Sequence, residues 1–172
     1  MNFSCDISLR ELASREAIRH CIYLYCRGAD RRDPVMMSSA YWPDAVDHRN
    51  PKGIDAWIEQ AMNIVDSMER LQHVISNILI ELDGDQARCE AYYNVYQRIK
   101  LATQQWQDVF LAGRFIDRFQ RRGNEWRIIE RTAAIDWFRV EEGQDPEGKG
   151  YRGRGYGGGP NDPSFRLFPR EA

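Results

Sequence analysis

The hydrophobic period of this chain changes once, and that change constrains the fold more than any other feature. Up to Met68 apolar residues recur at three- and four-residue spacings; from Leu71 onward they alternate with polar ones. The first period turns one stripe of a helix toward a core, and the second puts alternate side chains on one face of a strand. Ser8 followed by Glu11 has capping-box spacing and opens a first helix, with Leu12, Ile18, Ile22 and Tyr25 near one face and a stop near Gly28. Asp33-Pro34 opens a short second helix, Asp as N-cap and Pro as first residue, ending before Trp42-Pro43-Asp44. The third runs from Gly53 to Met68, with Ile54, Trp57, Ile58, Ala61, Ile64, Val65 and Met68 spaced for one buried face.

Four strands follow: Leu71 to Leu82, Ala87 to Leu101, Val109 to Arg121 and Trp126 to Val140. Asp83-Gly84-Asp85 and Gly123-Asn124 supply turns, so consecutive strands pair antiparallel. The pattern predicts an α+β fold, with helices packed on one face of a strongly curved sheet. Eight of thirteen glycines and four of seven prolines lie from Gly143 onward, which rules out a regular element there. The expected division is a body over residues 1–141 and a Gly/Pro-rich extension over 142–172 that packs on the body or on a neighbouring subunit.

The 172 residues suit a single domain. A net charge of −2 gives no general attraction to nucleic acid. No apolar run approaches the ~20 residues that span a bilayer, and the first residues carry no secretory pattern. Four cysteines without a CxxC pair, and three scattered histidines, offer no zinc constellation and read as reduced thiols in a cytoplasmic protein. There is no Gly-rich phosphate cradle and no flavin or metal ligand set, so no cofactor is expected.

The chemistry-bearing residues are few. Asp30 stands where the first helix ends, and a carboxylate there opposes the helix dipole. His73 lies early in a strand and by alternation shares a face with Ile75, Asn77 and Leu79, a suitable pocket wall. If Asp30 meets His73, the carboxylate fixes the imidazole tautomer and makes it a usable general base. Tyr23, Tyr25, Tyr92, Tyr93 and Tyr96 could fill a core or donate to a developing oxyanion. Arg131 could clamp an anion or pair with Glu130 or Asp136. Asn77, Arg131, Trp57 and Tyr23 are the candidate substrate-binding residues.

The segment Tyr25-Cys-Arg-Gly-Ala-Asp30, then Tyr41-Trp-Pro-Asp-Ala-Val46, Gln72-His73-x-x-x-Asn77, Gly113-Arg-Phe-Ile-Asp-Arg-Phe119 and Glu125-Trp-Arg-Ile-Ile129 resemble, in order and spacing, the SnoaL-like branch of the nuclear transport factor 2-like superfamily. That group includes scytalone dehydratase, hexachlorocyclohexane dehydrochlorinase, bile-acid 7α-dehydratase and diarylpropane lyases. The resemblance spans roughly residues 8–140. It implies a cone-shaped, cystatin-like α+β barrel with a deep apolar pocket, commonly assembled as trimers or dimers. It also implies Asp30 and His73 as a catalytic pair, Tyr25 as a neighbouring phenol, and Arg131 near a basic pocket residue. Tyr96 stands where scytalone dehydratase has a second histidine. The implied activity is a cofactor-independent lyase on a bulky, aromatic small molecule, eliminating water, halide or a small carbonyl fragment. A cyclase, an isomerase or a non-catalytic binder could use the same scaffold.

Overall fold

A computed structural model describes residues 7–143 and 162–169. Helices α1 (Leu9–Asp30), α2 (Pro34–Ser39) and α3 (Ile54–Asp66) pack against a sheet of β1 (Tyr41–Asp47), β2 (Met68–Asp83), β3 (Gln86–Lys100), β4 (Trp106–Arg122) and β5 (Glu125–Gly143). The strand order is β1-β5-β4-β3-β2, so the sheet curves but stays unclosed, with β1 and β2 as its edges. The α+β class and the four-strand meander are as the periodicity predicts.

The local signals act as expected. Ser8 and Glu11 exchange backbone–side-chain hydrogen bonds at the start of α1, and the Asp33 carboxylate accepts from the Met36 amide at the start of α2. Gly84 and Gly123, with φ of 60° and 62°, make the two tight turns where a side chain would be strained.

Four departures have physical causes. Strand β1, parallel to β5, was not expected, because Pro43 argues against a strand. An edge strand tolerates a proline, and the main chain closes the pairing from its other side: the Ile128 amide donates to the Ala40 carbonyl. Second, α1 does not stop at Gly28 but continues to Asp30. Gly28 is a packing glycine: a Cβ there would lie 2.5 Å from the Met37 nitrogen. Third, the face shared by His73, Ile75, Asn77 and Leu79 breaks at Asn77, where φ is 48° and the β2–β3 register shifts between Ser76 and Leu79. This bulge reverses the alternation, so Ile80 is buried while Asn77 and Leu79 are exposed. Fourth, Leu12 and Ile64 remain exposed on their helices, and Met68 begins β2 instead of ending α3.

One core cluster joins the helices to the concave face of the sheet, including Ile18, Ile22, Tyr25, Trp57, Tyr93, Phe115 and Ile128. Cys21, Cys26 and Cys89 are free and buried within it. Burial pushes the thiols of Cys21 and Cys89 up to about 12. Of the extension, the expected packing over 144–161 lies outside the described residues. Residues 162–169 do pack on the body: Arg31 pairs with Asp162 at 3.2 Å, and Arg27 donates to Ser164 at 3.4 Å. No helix among the described residues is long and apolar enough to cross a membrane.

Replacing Gly28 with alanine should lower Tm. Alanine gains ~1 kcal/mol of helix propensity, but the clash with backbone costs ~1–3 kcal/mol or more. The net effect is a fall of about 2–8 °C by calorimetry; a rise would contradict the close approach. In a Cys5→Ser variant, the remaining thiols should react with a thiol reagent at neutral pH only after unfolding, since reaction needs the exposed thiolate.

Candidate active site

Asp30 is the last residue of α1, and His73 sits on edge strand β2, whose outer side has no strand partner among the described residues. The two meet there. Asp30 Oδ1 lies 2.6 Å from His73 Nδ1, and both carboxylate oxygens accept from the His73 backbone amide at 3.1 and 3.0 Å. One carboxylate thus holds the main chain and the side chain of a single histidine. The dipole penalty of a carboxylate at a helix C-terminus is ~0.3–1 kcal/mol. Hydrogen bonds to a charged group contribute ~1.5–3 kcal/mol each, so the contact wins. An ionised carboxylate only accepts, so in the neutral imidazole Nδ1 carries the proton and Nε2 keeps its lone pair. Both side chains are 12% exposed: shielded, yet reachable.

Register shows what surrounds the histidine. His73 pairs with Val95, Val95 with Leu111, and Leu111 with Phe138. Ile75, Tyr93, Gly113 and Ile135 form the adjacent row. Paired residues share a face, so the imidazole stands on an apolar concave surface. Phe138 and Ile135, 66% and 62% exposed, are its uncovered part. A cavity of about 810 Å³ opens at this end of the sheet; Arg31 and Gln72, next in the chain to Asp30 and His73, line it together with Tyr96, Phe110 and Arg139, but Asp30 and His73 themselves do not.

Deeper in, Tyr25 is buried with its ring edge-on to Tyr41 and Phe115, at centroid distances of 5.8 and 5.6 Å. Two guanidiniums flank it. Arg131 lies 4.4 Å from the Tyr25 ring centroid and 4.0 Å from that of Phe115. Its Nε and Nη2 donate to the two oxygens of Asp117 at 2.7 and 2.6 Å, both side chains fully buried. Burial pushes the Asp117 carboxyl up, against the pull of Arg131. Arg49 lies 3.8 Å above Trp57 and 5.8 Å from Tyr25, with Nε and Nη2 on Asp47 at 2.8 and 2.5 Å. Burial raises the Asp47 carboxyl, but Arg49 and the Tyr41 hydroxyl outweigh it and hold the group below the usual carboxylate range.

The structure therefore brings together Asp30 and His73, with Tyr25, Trp57 and Arg131 in the same interior. Arg131 pairs with neither Glu130, which goes to His48 and Arg118, nor Asp136, which goes to Arg114. Three other candidates lie elsewhere. Tyr96 is 51% exposed and faces the opposite side of β3 from Val95, away from His73, where it packs on Phe110 and lines the 810 Å³ cavity. Asn77 is turned outward by the bulge, and Tyr23 is exposed on the far side of α1. Sequence reasoning missed Asp117, Asp47 and Arg49. For Asp117 a signal existed: it shares the apolar alternation of Phe115 and Phe119, where a charge is out of place unless paired.

A family model described as the SnoaL-like domain matches residues 10–132. The chain belongs to the SnoaL-like family. A comparison with curated protein sequences returned no significant match. Among solved structures, this SnoaL-like chain is similar to a type 2 hexachlorocyclohexane dehydrochlorinase, at 21% identity and a TM-score of 0.70 over 82% of this chain and 99% of that one. It is also similar to a Novosphingobium aromaticivorans protein assigned as a scytalone dehydratase, at 18% identity and a TM-score of 0.66 over 83% and 98%. A third likeness is a Nostoc punctiforme protein of cystatin-like fold, at 18% identity and a TM-score of 0.53 over 71% and 90%. At these identities the likenesses establish the fold.

Removing one member of the buried Arg131–Asp117 pair strands a charge. Arg131→Met should cost ~3–5 kcal/mol in urea unfolding. The double variant Asp117→Leu with Arg131→Met should recover most of that loss. Equal losses in the single and double variants would contradict the pairing.

Proposed function

We propose that this protein is a cofactor-independent lyase acting on a bulky, hydrophobic, aromatic small molecule, with Asp30 and His73 as its catalytic pair. The observation that carries the reading is the 2.6 Å contact between Asp30 and His73 Nδ1 on an apolar concave face. A fixed Nδ1–H tautomer leaves Nε2 as the base. It takes a proton from carbon, or from a hydroxyl. The electron pair released forms the new double bond as the bond to the leaving group breaks. The imidazolium, steadied by Asp30, then holds the proton that accompanies the departing water or halide, or returns to carbon when a carbonyl fragment leaves. The Tyr25 hydroxyl, without a hydrogen bond among the described residues, is placed to steady an oxygen. The resemblance to a dehydrochlorinase and to a protein assigned as a dehydratase supports elimination chemistry.

General-base catalysis supplies ~10²–10⁴-fold, and the pocket supplies the remainder by orientation and excluded water. His73→Ala and Asp30→Asn should each lower kcat by about that factor, with circular dichroism separating lost chemistry from lost fold. The measurement is mass-resolved turnover of hydroxylated and halogenated aromatic compounds without added cofactor. Wild-type turnover should release a fragment whose mass names the leaving group. Rearrangement without mass loss would point to an isomerase or cyclase. Undiminished turnover by His73→Ala would overturn the role of the pair.

A further inference from the structure

Several hydrogen-bond donors in the interior have no acceptor among the described residues. Asp47 accepts from the Tyr41 hydroxyl and from the Arg49 amide, Nε and Nη2. Asp117 accepts from Arg131, Asp30 from His73, and the Tyr93 hydroxyl donates to the Ala134 carbonyl at 2.9 Å. Besides the Tyr25 hydroxyl, which makes no hydrogen bond, three N–H donors have no partner among the described residues. Arg131 Nη1 and Trp57 Nε1 are buried without a partner. Arg49 Nη1 takes part in no hydrogen bond among the described residues, and its side chain is 26% exposed. All three belong to one stacked cluster: Arg49 rests on Trp57 and faces Tyr25, and Arg131 covers Tyr25. Charges reach the same place, for burial pushes the Cys26 thiol up within the combined fields of Arg131, Asp30, Asp117 and Arg49. An orphaned buried donor costs ~1–3 kcal/mol, and more when charged.

We propose that Arg49 and Trp57, beside Arg131, form a subsite for an uncharged oxygen acceptor on an aromatic substrate: a carbonyl, ether or hydroxyl oxygen. An acceptor that reaches Arg49 and Trp57 satisfies the orphaned donors. Charge decides between a neutral and an anionic guest. The interior already holds three carboxylates, Asp30, Asp47 and Asp117, against two guanidiniums. An anion would enter a region of net negative charge, and like-charge juxtaposition costs several kcal/mol. As a binding site this stands on the donor count alone; as the position of the reacting substrate it rests on the lyase reading above. Arg49 is then a specificity residue whose Nη1 reaches the guest, while Asp47 fixes its guanidinium plane.

The test compares three probes of similar size, acetophenone, ethylbenzene and benzoate, by ligand-observed NMR titration of the intact protein. Acetophenone should bind about ten-fold more tightly than ethylbenzene, the worth of one good hydrogen bond, and benzoate should bind most weakly. Trp57→Phe, which keeps the stack and removes the N–H, and Arg49→Lys, which keeps the charge, should each reduce the preference for acetophenone over ethylbenzene. Circular dichroism confirms that both fold. His73→Ala should keep the preference, so loss of turnover and loss of the subsite are read separately. Equal binding of acetophenone and ethylbenzene, tightest binding of benzoate, failure of all three to bind, or an unchanged preference in both variants would overturn the proposal.

Discussion

The contact of one carboxylate with both the amide and the imidazole of His73 is the joint on which the architecture turns. It ties the end of α1 to a free sheet edge, where backbone groups would otherwise need water or another chain. Several features depend on where α1 ends. Gly28 lets α2 come against the last turn, and the chain reverses there, the Asp33 amide donating to the Gly28 carbonyl. Arg27 and Arg31, on either side of Asp30, receive the segment around Asp162 and Ser164. The same contact that closes the edge orients the imidazole on an apolar surface, so one carboxylate serves both the main chain and the ring.

Charge inside the cone follows a consistent rule. Each buried guanidinium has a carboxylate of its own, Arg131 with Asp117 and Arg49 with Asp47, and each lies over aromatic faces. Buried ion pairs are weak evidence for stability, because desolvation consumes most of the Coulombic gain. Two such pairs pack around one tyrosine. Their geometry is rigid because the fork of arginine and the two oxygens of a carboxylate match in a plane.

Much of this was legible in the chain. The capping box at Ser8, the Asp33-Pro34 start and the glycine turns each report a local backbone need, and local needs survive folding. The switch from one hydrophobic period to the other gave the α+β class. Asp30 and His73 were legible as candidates because each is a polar residue out of place, one against a helix dipole and one in an apolar strand. What failed depended on neighbours. Strand β1 exists because β5 offers it a partner, despite Pro43. The bulge at Asn77 breaks an alternation that no residue before it announces. Tyr96 lies on the other face of β3 from Val95, the strand partner of His73. Arg49 lies in the loop between β1 and α3, where there is no period, so its place over Trp57 could come only from the tertiary fold.

The most direct test of the central claim is the protonation state of the His73 ring, read from long-range ¹H–¹⁵N correlation spectra near neutral pH. The account predicts a proton on Nδ1 and a bare Nε2, and the loss of that single tautomer in Asp30→Asn. A ring carrying its proton on Nε2 in the native protein, or a spectrum unchanged by Asp30→Asn, would contradict it.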